Sequence, residues 1–138
     1  MRKRDFTGWV AALFLTAIAV VVSYSAVRSV TSANQRQQTI GYALTGGQAS
    51  RGRDLILAYG CGACHQIPGV SLARGQVGPS LQGLSARAVI AGSYANVPAT
   101  VVRWIENPRA MKSDTAMPNL NLSEGQARAV AAYLYQQK

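Results

Sequence analysis

Hydrophobic and polar positions divide this chain into three stretches. From Gly8 to Val27, twenty residues carry no charge and are rich in Val, Ala, Leu, Ile and Phe. At ~1.5 Å of rise per residue, a helix of that length spans about 30 Å, the thickness of a bilayer core. Trp9 and Tyr24 stand near its two ends, where interfacial aromatics belong. Residues 28–50 are dominated by Ser, Thr, Gln, Asn and Gly and end in Gly46-Gly47. They predict a polar tether that reaches at most ~70 Å when extended. The alternative to a free tether is that Ile40, Tyr42 and Leu44 pack on the domain or on a neighbouring subunit, which shortens the reach.

Beyond residue 51 the pattern becomes that of a small helical domain. Leu55, Ile56 and Tyr59 fall on one face of a short helix over residues 52–59. A second helix is predicted from Pro98, which suits a first turn, to Asn107, stopped by Pro108. Val101, Trp104 and Ile105 mark its buried side. The last helix carries the clearest signal: Ser123 with Gln126 matches a capping box, and Ala127, Val130, Ala131 and Leu134 keep helical spacing. No strand pattern and no repeat stands out. The expectation is an all-α domain over 51–138, behind a 31–50 linker and a 1–30 membrane anchor or signal segment. Roughly ninety residues make a thin core, so such a domain needs something to pack around.

The run Cys61-Gly62-Ala63-Cys64-His65 supplies it. Cys-x-x-Cys-His is the attachment signature of c-type haem. Two thiols three positions apart each reach one of the two haem vinyl groups, and the adjacent imidazole reaches the iron. A structural zinc site needs about four Cys or His ligands, whereas this chain has two Cys and one His, so an Asp, a Glu or a partner chain would have to complete the set. A thioredoxin-like motif needs a βαβ setting, which residues 50–70 do not provide.

The histidine count limits the iron's second axial position. His65 is the only histidine, so bis-histidine ligation within one chain is excluded. Met, Lys, water, a terminal group or a partner's side chain remain. Met111 and Met117 are the methionines beyond the initiator. Met117 lies before Pro118 in the loop ahead of the last helix, which lets it reach the far haem face, and it is the chosen ligand. The alternative is that it fills a gap in the core, as most buried methionines do. His/Met ligation raises the reduction potential, and a saturated iron suits electron transfer rather than catalysis.

Charge and the N-terminus bear on location and partners. Arg2, Lys3 and Arg4 precede the apolar run, which puts the N-terminus on the cytoplasmic side and the rest across the membrane. A cleaved signal peptide is the rival, with small residues at Thr31-Ser32-Ala33, although the apolar run exceeds a usual signal core. Both readings export the haem domain. The net charge is +9, and the part after residue 33 keeps ten basic against four acidic residues. A basic rim that steers docking onto an acidic partner accounts for this, since no basic run with interleaved aromatics points to nucleic acid.

Residues 51–138 resemble a class I monohaem cytochrome c. Gly78-Pro79-Ser80-Leu81-Gln82-Gly83 is similar to that family's G-P-x-L-x-G loop, and Ala116-Met117-Pro118 to its axial-methionine segment. The resemblance implies that the Pro79 carbonyl accepts a hydrogen bond from His65. It also implies that Gly52 meets the Ala132-Tyr133-Leu134 region where the first and last helices of the domain cross. The second half, with Ala91-Gly92, Asn96-Val97-Pro98 and Trp104-Ile105-Glu106-Asn107-Pro108, is similar to the cytochrome c domain fused to subunit II of haem-copper oxidases. That likeness implies places near the haem propionates for Arg87 and Trp104, with Tyr94 also in the haem surroundings. A chain with one apolar span and no copper-binding cluster departs from such a subunit.

The resulting expectation is an electron-transfer protein rather than an enzyme, with one covalent haem c and no small-molecule substrate. It is held by a single pass in a bacterial inner membrane, with the haem domain on the periplasmic side. Its partners are membrane respiratory complexes, with a haem-copper oxidase as acceptor. The alternatives are a resident subunit of an oxidase or dehydrogenase, and a peroxidase or gas sensor with an open sixth site.

Overall fold

The computed structural model describes residues 3–137 of the 138. Arg2, on which the topology expectation partly rests, lies outside the described residues. The chain divides into two compact units, residues 1–36 and 37–138.

The first unit belongs to helix α1, Lys3–Thr45, which is long and apolar enough to cross a membrane. Leu13, Phe14, Leu15, Ile18, Val20 and Val21 are all exposed, a composition that water does not solvate well. Its hydroxyl residues are neutralised locally. Thr16, Ser25, Ser29 and Thr31 donate to the carbonyls of Leu13, Val22, Ala26 and Arg28, three residues back. Such back-bonding satisfies an O–H without leaving the helix.

The second unit is built on α2 (Ala49–Ala58), α3 (Pro98–Glu106), α4 (Pro108–Met111) and α5 (Glu124–Gln136). Helix α5 is the hub, packed against both α2 and α3. Its capping box is complete: Gln126 N donates to Ser123 Oγ, while Ser123 N donates to the Gln126 side chain. Ala127, Val130, Ala131 and Leu134 are buried on it, together with Ala129, Ala132 and Tyr133. Gly52 of α2 sits at the crossing with α5, where a β-carbon would strike the backbone of Ala129 and lie 3.0 Å from Tyr133 Cβ. Helix α3 begins at Pro98 and buries Val101, Val102 and Ile105, leaving Trp104 half-buried.

The structure differs from the sequence reading in two places. The segment read as a polar tether is helical up to Thr45, and residues 37–45 belong to the second unit. Ile40, Tyr42 and Leu44 are exposed there; the buried positions are Gly41, Thr45 and Gly47. Small residues win because backbone approaches backbone. A β-carbon on Gly41 would lie 2.9 Å from the Ala132 carbonyl, and one on Gly47 would strike the Arg128 backbone. Arg128 Nη1 donates to the Thr45 carbonyl (2.9 Å), and Gln136 to that of Gln37 (2.7 Å). Helix α1 then stops at Gly46, whose φ of 70° provides a left-handed cap.

The second difference is a small antiparallel hairpin, β1 (Val89–Ile90) with β2 (Tyr94–Ala95). Two-residue strands have no period to read. The turn between them places Ala91 and Gly92 at positive φ.

Candidate functional site, a haem-binding loop

The candidate site is assembled by two loops that clasp each other. Directly after α2, Gly60 takes a left-handed conformation and a short helical turn covers Cys61–Ala63. Cys64 N and His65 N both donate to the Cys61 carbonyl, at 3.3 and 3.0 Å. This fold-back puts both cysteines and the histidine on one tight turn. The following loop closes over it: Gly75 N donates to Gly62 O (3.0 Å), Gly78 N to Cys64 O (2.8 Å) and Leu81 N to Gln66 O (2.8 Å). The approach is close enough to require glycine. A β-carbon on Gly62 would lie 2.7 Å from Ala73 Cα, and one on Gly75 would strike Ala63 and Cys64.

His65 Nδ1 lies 2.8 Å from the Pro79 carbonyl oxygen. A carbonyl only accepts, so Nδ1 carries a proton, and in the neutral ring Nε2 is the nitrogen with the lone pair. The same contact fixes the plane of the ring. Gly78 completes the cradle, since a β-carbon there would lie 2.7 Å from Nδ1 and 2.9 Å from Nε2.

Cys61 and Cys64 are free thiols, both half-buried. Burial pushes the Cys61 thiol above its ordinary range; the nearby Cys64 adds to this, and a backbone hydrogen bond partly opposes it. The donor set fits a c-type haem: two free thiols, followed directly by an imidazole with an unprotonated Nε2.

The other candidate residues fall into two groups. Arg87 Nη2 donates to the carbonyls of both Ser80 and Gln82, the latter at 2.9 Å, so it grips the loop that presents Pro79. Tyr94 and Trp104 meet with ring centroids 6.1 Å apart and tilted by 40°. The Tyr94 hydroxyl donates to the Met111 carbonyl, which ties the hairpin to the end of α4. Met117 is half-buried, and its N–H donates to Thr115 Oγ1 at 3.2 Å. Its loop is drawn back towards α4 by Arg109 N, which donates to Asn119 Oδ1 (3.3 Å).

Sequence reasoning missed Asn96 and Tyr135. Asn96 Nδ2 donates to the Leu84 and Arg87 carbonyls at 2.6 and 2.9 Å, while its Oδ1 accepts from Tyr135 at 2.8 Å. One amide therefore joins α5 to the segment after the Pro79 loop. A polar side chain between a hairpin and a proline reads as a turn residue, so nothing local announced that role.

A mostly helical domain wrapped around a Cys-x-x-Cys-His turn, its histidine oriented by a backbone carbonyl, defines the class of small covalent haem proteins. Residues 49–138 match the cytochrome c family, and the chain belongs to it. Haem-based electron transfer is what membership implies. No curated protein and no solved structure matches the chain.

Proposed function

We propose that this chain is a membrane-anchored single-electron carrier of a respiratory chain. It holds one haem c through Cys61 and Cys64, with His65 and Met117 as axial ligands. The observation that carries the reading is the 2.8 Å contact from His65 Nδ1 to Pro79, which leaves Nε2 as a free donor beside two free thiols. When bound, the haem supplies an iron that cycles between ferrous and ferric states one electron at a time. The chain's own residues do the rest. Pro79 orients the imidazole and strengthens its donor nitrogen. Met117 would supply a thioether to the haem iron, a soft donor that favours a higher potential. Arg87 has Nε and Nη1 left for a haem propionate, and Trp104 with Tyr94 forms part of the surrounding wall.

Helix α1 serves as an uncleaved single-pass anchor in a bacterial inner membrane, with Lys3 and Arg4 cytoplasmic and the haem domain periplasmic. The acceptor is a membrane complex such as a haem-copper oxidase. In support, residues 55–105 contain Arg74, Arg87 and Arg103 but no Asp or Glu, a basic stretch that suits an acidic partner.

A second reading makes the chain a resident subunit of an oxidase or dehydrogenase. It is favoured by the seating of residues 37–47 on α5, which shortens the stretch left to act as a tether. Gentle detergent extraction, native electrophoresis and staining for covalent haem separate the two. Haem migrating alone supports the carrier, and haem migrating with a large complex supports the subunit. A chain that carries no covalent haem overturns both.

A further inference from the structure

The G-P-x-L-x-G loop is pinned by one guanidinium. Ser80 and Gln82, the two residues whose carbonyls Arg87 Nη2 holds, lie one and three positions after Pro79. On the other side of the loop, Leu81 N donates to Gln66 O at 2.8 Å, and Gln66 follows His65 directly. Gln82 N donates to Ser80 Oγ (3.3 Å), which closes the turn on itself. The loop's orientation thus depends on bonds at 80, 81 and 82, and the carbonyl at 79 is the one aimed at the imidazole.

Arg87 is itself held. Its carbonyl and that of Leu84 accept from Asn96 Nδ2, and Asn96 Oδ1 accepts from Tyr135 on α5. An unbroken series of hydrogen bonds runs from α5 through Asn96 and Arg87 to the loop bearing Pro79. Bonds from a charged donor to carbonyls are among the stronger ones in a protein.

We propose that Arg87 is a positioning residue for His65: by gripping Ser80 and Gln82 it holds the Pro79 carbonyl on Nδ1, and so sets the orientation and donor strength of the iron ligand. This role is separate from any contact with a propionate, because it is Nη2 that bonds the loop carbonyls. It rests on the reading of His65 as an axial ligand.

The test uses the full-length haem-loaded protein in detergent, in the reduced state. Proton NMR follows the His65 Nδ1–H resonance and its exchange with solvent. With Arg87→Met, the Nδ1–H is expected to exchange about tenfold faster and to shift, as a hydrogen bond opened by local fluctuation does. Arg87→Lys keeps the charge but cannot hold both carbonyls from one planar nitrogen. It is expected to exchange several-fold faster too, and it carries the test if the Met variant fails to fold.

A purely electrostatic role towards haem predicts a changed reduction potential in Arg87→Met, with Nδ1–H exchange and shift unmoved in both variants. A merely structural role predicts a lower melting temperature with the resonance unmoved. Either result overturns the proposal. A wild-type protein with covalent haem but no such resonance from His65 overturns the axial assignment instead, which keeps the two failures distinct.

Discussion

Gly78 stands so close to the imidazole of His65 that a β-carbon added to it would lie 2.7 Å from Nδ1. Backbone therefore packs directly on the ring, and only glycine permits it. Gly78→Ala forces either the ring or the loop to move. The expected outcome is a fall in covalent haem per chain and a loss of about 1–3 kcal/mol in thermal or denaturant unfolding. Absorbance at the haem Soret band against protein concentration, with a melt of the haem-loaded fraction, checks both. Unchanged occupancy and stability would mean that the ring has room the structure does not show.

Met117→Ala tests the second axial ligand. Removing a thioether leaves the sixth position to water or an added ligand. The reduction potential is expected to fall, and carbon monoxide is expected to bind the reduced protein rapidly. Potentiometry and carbon monoxide difference spectra measure these directly. If neither changes, the ligand is Met111, whose carbonyl already holds the Tyr94 hydroxyl.

Much of this site was legible because its chemistry needs neighbours in sequence. Two cysteines and a histidine on one turn, a Ser123/Gln126 box and a proline at the start of α3 are local signals, and each appears where local rules put it. The Gly52–α5 crossing was reachable only through family resemblance, since a buried glycine leaves no hydrophobic trace. The same physics hid the seat of residues 37–47. Attention went to Ile40, Tyr42 and Leu44, yet the packing surface is Gly41, Thr45 and Gly47, where missing side chains rather than large ones make the contact. The likeness to an oxidase subunit directs Arg87 towards a propionate. Its bonds to Ser80 and Gln82 depend on a loop shape that no periodicity encodes.

That glycine seat makes its own prediction. A β-carbon on Gly47 would strike the Arg128 backbone, whereas one on Gly125, in the first turn of α5, meets nothing within 4 Å. Gly47→Ala is expected to destabilise the domain by about 1–3 kcal/mol. Gly125→Ala is expected to stabilise it by about 0.5–1 kcal/mol, because alanine loses less backbone freedom in a helix. Thermal unfolding of the haem-loaded protein compares the two. Equal effects would show that residues 37–47 are not seated on α5 in solution.

Alkaline pH probes the α5 tyrosines. Burial pushes the hydroxyls of Tyr133 and Tyr135 above the ordinary value of 10.0, with Arg53 partly opposing this at Tyr133. Both donate hydrogen bonds, Tyr133 to the Pro68 carbonyl (2.8 Å) and Tyr135 to Asn96 (2.8 Å). A group whose folded pKa is raised contributes stability that is complete below its unfolded value and disappears as pH rises through the folded one. Stability should therefore be flat up to about pH 9 and decline from about pH 10 upward. Tyr133→Phe is expected to cost about 1 kcal/mol at pH 8, the worth of one hydrogen bond, and to flatten the alkaline decline. A decline of the same steepness in Tyr133→Phe and Tyr135→Phe would assign it to other groups.

The surface beside the haem-binding turn yields the last prediction. Leu72 and Val77 are 83% and 80% exposed, and Arg74 lies between them in sequence on the loop that clasps Cys61–His65. Exposed apolar groups flanking a cation, in a stretch free of Asp and Glu from 55 to 105, suit a transient electron-transfer contact with an acidic rim. Leu72→Ser with Val77→Ser removes apolar contact without removing charge. Arg74→Gln removes charge without removing apolar contact. In stopped-flow reduction of an acidic acceptor, the double variant is expected to slow transfer about equally at low and high salt. Arg74→Gln is expected to slow it chiefly at low salt, where steering is unscreened, and to weaken the salt dependence. Neither change is expected to move the reduction potential. If both leave the bimolecular rate intact, electrons leave through another face, and the basic residues of this loop do not steer the partner.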